Sequence, residues 1–475
     1  MNVLFAASES APFIKTGGLG DVIGALPKAL QRDGVSVSVV LPKYMDLNAN
    51  FNNRITYLKY IYVPLGWRNQ YCGVFYCKEA GIDYYLLDNE YYFKRSGSYG
   101  YADDGERFAF FARAVLELLP HLAKKTDLIH CHDWQTGLIS VFLRAHYSSN
   151  PFYQNIRTLF TIHNLRYQGV FPKSVLGDLL GLDQTYFHKD GLEFYDHVSY
   201  MKAGLAYSDL LTTVSPTYAQ EIQYPYFGEK LDGFLRWNHD KLSGIINGID
   251  RELYNPLTDQ ALYEPYSDTQ AKQANKRALQ SDLGLPVHEA TPMIAMITRL
   301  TDQKGIDLVL RVFHEIMKLD VQFVLLGTGE RNYEDAFKWL ADCYPNAVSV
   351  NIYFDDSLAR KIYAGSDLFL MPSKFEPCGI GQLLAMRYGS LPIVRETGGL
   401  KDTVAPYNAF THEGNGFSFT NYNAHDMLYT IERAIHLFRN NRRVFDELTN
   451  RAMGLDFGWD QSANDYINLY RRIVQ

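Results

Sequence analysis

The sequence lacks the features that mark several large classes of protein. It has no uninterrupted apolar run approaching the roughly 18 residues of a membrane span. No basic segment precedes the apolar residues of its first stretch, MNVLFAASESAPF. It also has no basic excess, since 46 Lys and Arg stand against 53 Asp and Glu, a formal net charge of −7. These absences predict a cytoplasmic protein with neither a membrane nor a nucleic acid as partner.

Cysteine and metal-binding patterns are also scarce. The five cysteines are odd in number and none has zinc-finger spacing, which is typical of free thiols in a reducing compartment. No D-x-D triplet occurs that could bridge a diphosphate through a metal ion, and no G-x-G-x-x-G follows the first predicted strand. The sequence therefore predicts no bound metal and no cofactor, and it leaves a nicotinamide oxidoreductase as a distant alternative.

What the sequence does contain is a repeated alternation of apolar strands with helical patterns. With 475 residues the chain is too long for one core, so we expect two domains. Buried-looking strands of this kind predict an α/β protein with two doubly wound domains, whose parallel sheets are covered on both faces. The join is expected near 241–250, with 250–290 as a connector and entry to the second domain. Strands are expected at 2–7, 35–41, 127–132, 158–163, 209–214, 293–298, 321–327, 348–353, 367–371 and 391–394.

A glycine turn directly follows the first predicted strand. Lys15 begins the segment K-T-G-G-L-G-D-V, and a helix is expected to start at about Asp21. Consecutive glycines let a ligand approach the backbone closely, and a helix start offers free N–H groups, so a diphosphate fits there. The alternative is a turn with a purely structural role.

Polar groups follow two further strands of the first half. His130–Trp134 reads H-C-H-D-W and Thr161–Asn164 reads T-I-H-N, each at the carboxyl end of a predicted strand. Ligands of open α/β sheets bind at that edge, where imidazole, amide and carboxylate groups can hydrogen-bond sugar hydroxyls. A zinc site and histidines that satisfy buried backbone groups are the alternatives.

The second half carries three such strand ends. Arg299 and Lys304 flank one turn, and two cations there can hold a diphosphate whose charge grows as a bond to it breaks. Glu376 lies in a glycine-flanked turn after another strand, and Thr397–Gly399 offers a second nest of backbone N–H groups. A solvated basic turn is the alternative for the Arg299 segment.

Taken in order, these motifs resemble those of the bacterial glycogen synthases and plant starch synthases. The matching segments are K-T-G-G-L-G-D-V, H-D-W-Q-T, N-G-I-D, R-L-T-D-Q-K-G, F-E-P-C-G and T-G-G-L-K-D-T-V. The resemblance implies a GT-B fold, in which two Rossmann-like domains face a deep cleft. It also implies transfer of glucose, with retention of configuration, from ADP-glucose to the non-reducing end of an α-1,4-glucan such as glycogen.

The same resemblance implies the domain limits and the site residues. It places an N-terminal domain at 1–242, a nucleotide-sugar-binding domain at 243–457 and a helix at 458–475 that returns to the first domain. The implied catalytic residues are Glu376, His163, Lys304 and Arg299. The implied substrate-binding residues are Lys15, Gly17, Gly18, Asp21, Asn247, Cys378, Thr397, Gly398 and Gly399.

One position departs from the wider pattern of retaining transferases. Leu384 stands eight residues after Glu376, where a second glutamate often holds the nucleotide ribose. No residue distinguishes ADP-glucose from UDP-glucose. A UDP-glucose-using synthase, a phosphorylase with pyridoxal phosphate and an inactive glucan-binding protein of the same fold therefore remain alternatives.

Overall fold

The computed structural model describes residues 1–474, which form two compact units. The first unit is Met1–Gly248 together with the chain from Trp459 onward, and the second is Ile249–Gly458. No helix within residues 1–474 has the length and apolar composition of a bilayer-spanning segment.

The first unit is built on a nine-stranded sheet in the order β12-β11-β7-β6-β1-β2-β5-β4-β3. A separate small sheet has the order β8-β10-β9. The strands are β1 (Asn2–Ala6), β2 (Ser36–Pro42), β3 (Thr56–Leu65), β4 (Arg68–Glu79), β5 (Ile82–Asp88), β6 (Leu128–His132), β7 (Arg157–Ile162), β8 (Val170–Pro172), β9 (Glu193–Phe194), β10 (His197–Ser199), β11 (Leu210–Thr213) and β12 (Leu242–Gly244).

Helices cover both faces of the large sheet because its strands are apolar on both sides. Along β1, Val3 and Phe5 enter one core, whereas Leu4 and Ala6 enter the core on the opposite face. The helices are α1 (Gly18–Arg32), α2 (Glu90–Phe93), α3 (Asp104–Leu118), α4 (Leu138–Tyr147), α5 (Val175–Asp178), α6 (Tyr200–Tyr207), α7 (Pro216–Glu221) and α8 (Asp232–Trp237).

The second unit repeats this plan with six parallel strands in the order β15-β14-β13-β16-β17-β18. Its strands are β13 (Met293–Ile297), β14 (Gln322–Leu326), β15 (Val348–Asn351), β16 (Leu368–Met371), β17 (Leu391–Arg395) and β18 (Phe417–Phe419). Its helices are α9 (Thr269–Asp282), α10 (Ile306–Arg311), α11 (Phe313–Met317), α12 (Arg331–Cys343), α13 (Asp356–Gly365), α14 (Gly381–Arg387), α15 (Gly398–Thr403), α16 (Ala424–Asn440) and α17 (Arg442–Gly454).

The last helix, α18 (Asp460–Ile473), belongs to the first unit. It packs against α1, and its buried Tyr466 and Tyr470 join the same core as Val3 and Phe5. Tyr470 also shares a hydrogen bond of 2.8 Å between its hydroxyl and Nδ1 of His130 on β6.

The predicted α/β class and the predicted strands are confirmed, but two expectations were wrong. The first sheet is not wholly parallel, because β3 and β4 form an antiparallel hairpin at its edge. Strand β3 exposes Tyr60 and Tyr62 on one face, so it lacks the continuous apolar character of a buried strand. The segment 250–290 belongs to the second unit, as expected of its entry, but it is not only a connector, because it contains a helix of 14 residues, α9, which packs on α13.

Candidate active site

In the first unit, the glycine turn links β1 to α1. Gly17 caps α1 in an extended conformation and has no side chain to bond the first N–H groups of the helix. Nζ of Lys15 lies 2.7 Å from Oδ1 of Asp21, and both side chains are partly exposed. The structure thus brings Lys15, Gly17, Gly18 and Asp21 together in one turn that can receive an anion.

A buried carboxylate holds this turn in place. Oε2 of Glu9 accepts hydrogen bonds from the backbone N–H and the hydroxyl of Thr16, both at 2.6 Å, and Oε1 accepts the N–H of Gly20 at 3.2 Å. Burial raises the pKa of Glu9, with the hydrogen bonds acting against that rise. The sequence does not identify Glu9 as a functional residue, since nothing in the surrounding E-S-A-P-F shows which backbone groups it reaches.

His163 follows β7, which lies two strands from β1 in the same sheet. Its backbone N–H donates to Oδ1 of Asp133 at 2.7 Å, and Asp133 follows the intervening strand β6 in a left-handed conformation with φ 58°. Desolvation raises the pKa of Asp133 to about 7 and lowers that of His163 to about 3. His163 is therefore neutral at physiological pH, at the carboxyl edge that also carries the glycine turn.

A second histidine contacts His163 directly. Nδ1 of His132 lies 2.9 Å from Nε2 of His163, and the ring of His132 lies against Phe5 and His130. Burial lowers the pKa of His132 well below its ordinary value. The segment H-C-H-D-W pointed to this region, but it did not indicate which of its two histidines would contact His163.

Asn247 makes no hydrogen bond to these groups within residues 1–474. It follows β12 at the end of the sheet, two strands from β7, which His163 follows, and four strands from β1. Its side chain is buried, and Oδ1 has no partner in this part of the chain. Asn247 thus belongs to the same sheet as His163 without a hydrogen bond to it in this part of the chain.

In the second unit, an ion pair joins two of the predicted catalytic residues. Nζ of Lys304 lies 2.6 Å from Oε2 of Glu376, and the hydroxyl of Ser373 donates to the same oxygen at 3.0 Å. Both members of the pair are largely buried. The turn that carries Lys304 is held against the Glu376 segment by a backbone hydrogen bond of 2.8 Å from Lys374 to Gln303.

The glycines after β17 complete this edge. A Cβ atom at Gly398, where φ is +45°, would lie 1.9 Å from the carbonyl oxygen of Glu376, and one at Gly399 would lie 2.2 Å from that of Cys378. Only glycine permits this approach. The N–H of Gly399 donates to the carbonyls of Glu376 and Pro377, both at 3.2 Å. Buried Thr397 precedes the two glycines.

Arg299 is the predicted catalytic residue that the structure leaves separate. Its side chain is exposed after β13 and makes no hydrogen bond or ion pair with residues 1–474. Leu384, which replaces the second glutamate of the wider pattern, is buried in the core of the second unit and offers no polar group. No cluster of three or more His, Cys, Asp or Glu suited to a metal ion occurs among the described residues.

Comparison with known proteins places these groups in a family. Residues 2–237 match the family model of the starch synthase catalytic domain, and residues 284–448 match that of glycosyl transferases group 1. The chain is 55% identical to the glycogen synthase of Desulforamulus reducens over 476 residues, covering 100% of this chain and 99% of that one. It is 56% identical to the glycogen synthase of Bacillus cereus over 477 residues, covering 100% of both chains.

A solved structure gives the same result for the fold. The catalytic domain of starch synthase IV from Arabidopsis thaliana, bound to ADP and acarbose, superposes with a TM-score of 0.94 at 36% identity. The match covers 100% of this chain and 99% of that domain. The GT-B fold that the sequence motifs implied is thereby confirmed.

Proposed function

Because the chain belongs to the glycogen synthase family of glycosyltransferases, we propose that it transfers glucose from ADP-glucose to the non-reducing end of an α-1,4-glucan with retention of configuration. The observation that carries this proposal is the Lys304–Glu376 ion pair beside the close-packed glycines 398 and 399. It joins a cation suited to a phosphate, a carboxylate and a turn that only glycine can form.

The reaction breaks the bond between C1 of glucose and the diphosphate. Negative charge grows on the departing phosphate while the sugar becomes cationic, so the enzyme must stabilise both. Arg299 and Lys304 neutralise the phosphates from the second unit, aided by backbone N–H groups near Thr397. In the first unit, Lys15 and the turn at Gly17 and Gly18, beside Asp21, bind an anionic group of the substrate. Asn247 and Cys378 contact substrate without taking part in bond breaking.

Glu376 is the group that we assign to support the cationic sugar. Its Oε2 is occupied by Lys304 and Ser373, whereas Oε1 makes no hydrogen bond within residues 1–474. Retention then requires the acceptor hydroxyl to attack C1 from the face that the diphosphate leaves. Its proton passes to the departing phosphate oxygen, so no covalent intermediate on the protein is needed.

ADP-glucose as the donor is supported by the structural relative, because that starch synthase was solved with ADP and acarbose bound. Acarbose also supports an α-glucan as the acceptor. A UDP-glucose-using synthase is the second candidate, since no contact that we describe involves the nucleotide base.

The test is incorporation of labelled glucose into glycogen from ADP-glucose and UDP-glucose in parallel, with EDTA present throughout. We expect faster incorporation from ADP-glucose, and incorporation at least ~10²-fold slower in Glu376→Ala. Preference for UDP-glucose would overturn the donor assignment. Absence of turnover from both donors would leave only a glucan-binding protein, and loss of turnover that magnesium restores would show that a metal takes part.

A further inference from the structure

His132 and His163 share a single hydrogen bond whose direction decides the chemistry of His163. The two ring nitrogens are 2.9 Å apart, so one must carry the proton and the other must accept it. Burial lowers the pKa of both rings, to about 3 for His163, so each is neutral and carries one N–H group. Two arrangements are possible, and they leave opposite nitrogens of His163 protonated.

The state of Nε2 of His132 distinguishes the two arrangements. Nε2 of His132 is fully buried and has no hydrogen-bond partner within residues 1–474. If His163 donated to His132, the proton of His132 would lie on Nε2, where a buried N–H without an acceptor costs roughly 1–3 kcal/mol. If His132 donates from Nδ1, Nε2 is left as a buried acceptor instead, and acceptors without a partner are more common in protein interiors than N–H groups without one.

We infer that His132 is a positioning residue that donates from Nδ1 to Nε2 of His163 and thereby keeps the proton of His163 on Nδ1. His163 is partly exposed, and its Nδ1 makes no hydrogen bond within residues 1–474. That N–H is therefore available to an oxygen that accepts a hydrogen bond. Its chemical partner is a hydroxyl oxygen of the bound sugar, an assignment that rests on the proposed function.

The neighbouring rings pack against the imidazole of His132 and hold its orientation. Its ring stacks on Phe5 with centroids 5.1 Å apart and lies 4.1 Å from the ring of His130. His130 is fixed in turn through Nε2, 2.6 Å from the hydroxyl of Thr161, and through Nδ1 to Tyr470. The backbone of His163 is held separately by Asp133. A catalytic imidazole oriented by a second group in this way is a recurring arrangement in enzymes.

The direct test is the tautomeric state of His163 in the ligand-free protein, read by ¹⁵N NMR after labelling histidine. A coupling across the hydrogen bond between the two ring nitrogens identifies the pair without any substitution. We expect His163 protonated at Nδ1 and His132 protonated at Nδ1. A proton on Nε2 of His163 overturns the inference whether or not the protein transfers glucose, and absence of turnover with the expected tautomer overturns the proposed function alone.

Two variants add a kinetic test. His132→Leu removes the donor, so we expect kcat to fall roughly threefold to tenfold, the scale of one hydrogen bond. His132→Asn places an amide N–H near the position of Nδ1 and should recover most of that loss, with Nδ1 of His163 again protonated. Equal kcat in both variants, with thermal unfolding unchanged, would assign His132 a packing role only.

Discussion

The two carboxylate oxygens of Glu376 differ in their hydrogen bonds. Oε2 lies within hydrogen-bond distance of Lys304 and Ser373, and this fixes the plane of the carboxylate. Oε1 makes no hydrogen bond within residues 1–474 and is the oxygen that remains for a substrate. The lysine thus has two tasks, since it holds the carboxylate and carries charge suited to a phosphate.

Glu376→Ala should lower turnover by at least ~10²-fold, the scale of losing one electrostatic stabiliser. Circular dichroism and thermal unfolding should confirm that the variant folds. Ser373→Ala is the matched control, because it removes one hydrogen bond to Oε2 and keeps the charge. We expect it to cost less than tenfold, and comparable losses in the two variants would contradict a special role for the carboxylate.

Lys15→Gln should weaken binding of ADP-glucose by about tenfold to a hundredfold, the value of an ammonium–phosphate contact of roughly 1.5–3 kcal/mol. Affinity for glycogen should stay unchanged. Asp21→Asn is the control, because it removes the ion-pair partner of Lys15 and leaves the ammonium in place. Calorimetric titration measures the affinity of each variant for ADP-glucose and for glycogen. A change confined to the affinity for glycogen would assign the glycine turn to acceptor binding.

Sequence patterns predict some of these residues and not others. Lys304 and Glu376 were identified from local motifs, and the structure joins them at 2.6 Å; their catalytic role stays a prediction. Glu9 and His132 could not be identified in this way. The contact of His132 with His163 joins two strand ends 31 positions apart. The contact of Glu9 with Thr16 lies within the loop between β1 and α1, whose conformation no local pattern specifies.

At the scale of elements, the strands were predictable because each is a short, continuous apolar run covered on both faces. The β3–β4 hairpin was not, since the exposed Tyr60 and Tyr62 interrupt the apolar signal on one face. Helix α9 was missed for a related reason: its segment TQAKQANKRALQSD contains few apolar residues, and its buried face includes Lys272 and Asn275.

The turn that begins α15 gives a prediction at this scale. Gly398→Ala should reduce both stability and turnover, because the new Cβ meets the carbonyl oxygen of Glu376 at 1.9 Å in a left-handed conformation. Gly284→Ala is the matched control. Its φ is +68° but no atom lies within 4 Å of the new Cβ, so it should destabilise the fold by about 1 kcal/mol without loss of turnover. Equal turnover in the two variants would show that the Glu376 segment tolerates displacement.

For the whole molecule, buried neutral histidines make stability depend on pH. Burial holds the pKa of His130 well below 6.5 in the folded protein, whereas the unfolded chain binds a proton near that pH. This contribution is therefore present above pH 6.5 and is lost as the pH falls.

His130→Gln should lower stability at pH 7.5 by loss of packing, yet its free energy of unfolding should fall less steeply on acidification. The expected difference in slope is about 1.4 kcal/mol per pH unit between pH 6 and 5, measured by urea unfolding. Parallel curves would show that His130 is protonated in the folded state.

The two-unit plan was predictable from the repeated alternation of strands and helices, but the limits drawn at 242/243 and 457/458 stay predictions. Which core α18 completes depends on contacts between residues more than 300 positions apart, such as His130 with Tyr470. The amphipathic pattern of 459–475 predicts a helix without identifying its partner, and only the resemblance implied a return to the first domain.

The return of α18 also sets an order of events during synthesis. The ribosome releases the strands of the first unit early. Tyr466 and Tyr470, which join the core that contains Phe5, follow only after the second unit, which is about 210 residues long. Tyr466 also packs against His130. At roughly 5–20 residues per second, the nascent sheet waits about 10–40 s with one flank unfinished. The second unit is one continuous stretch of chain and can close as soon as it emerges. The unit that is translated first is therefore the last to be completed.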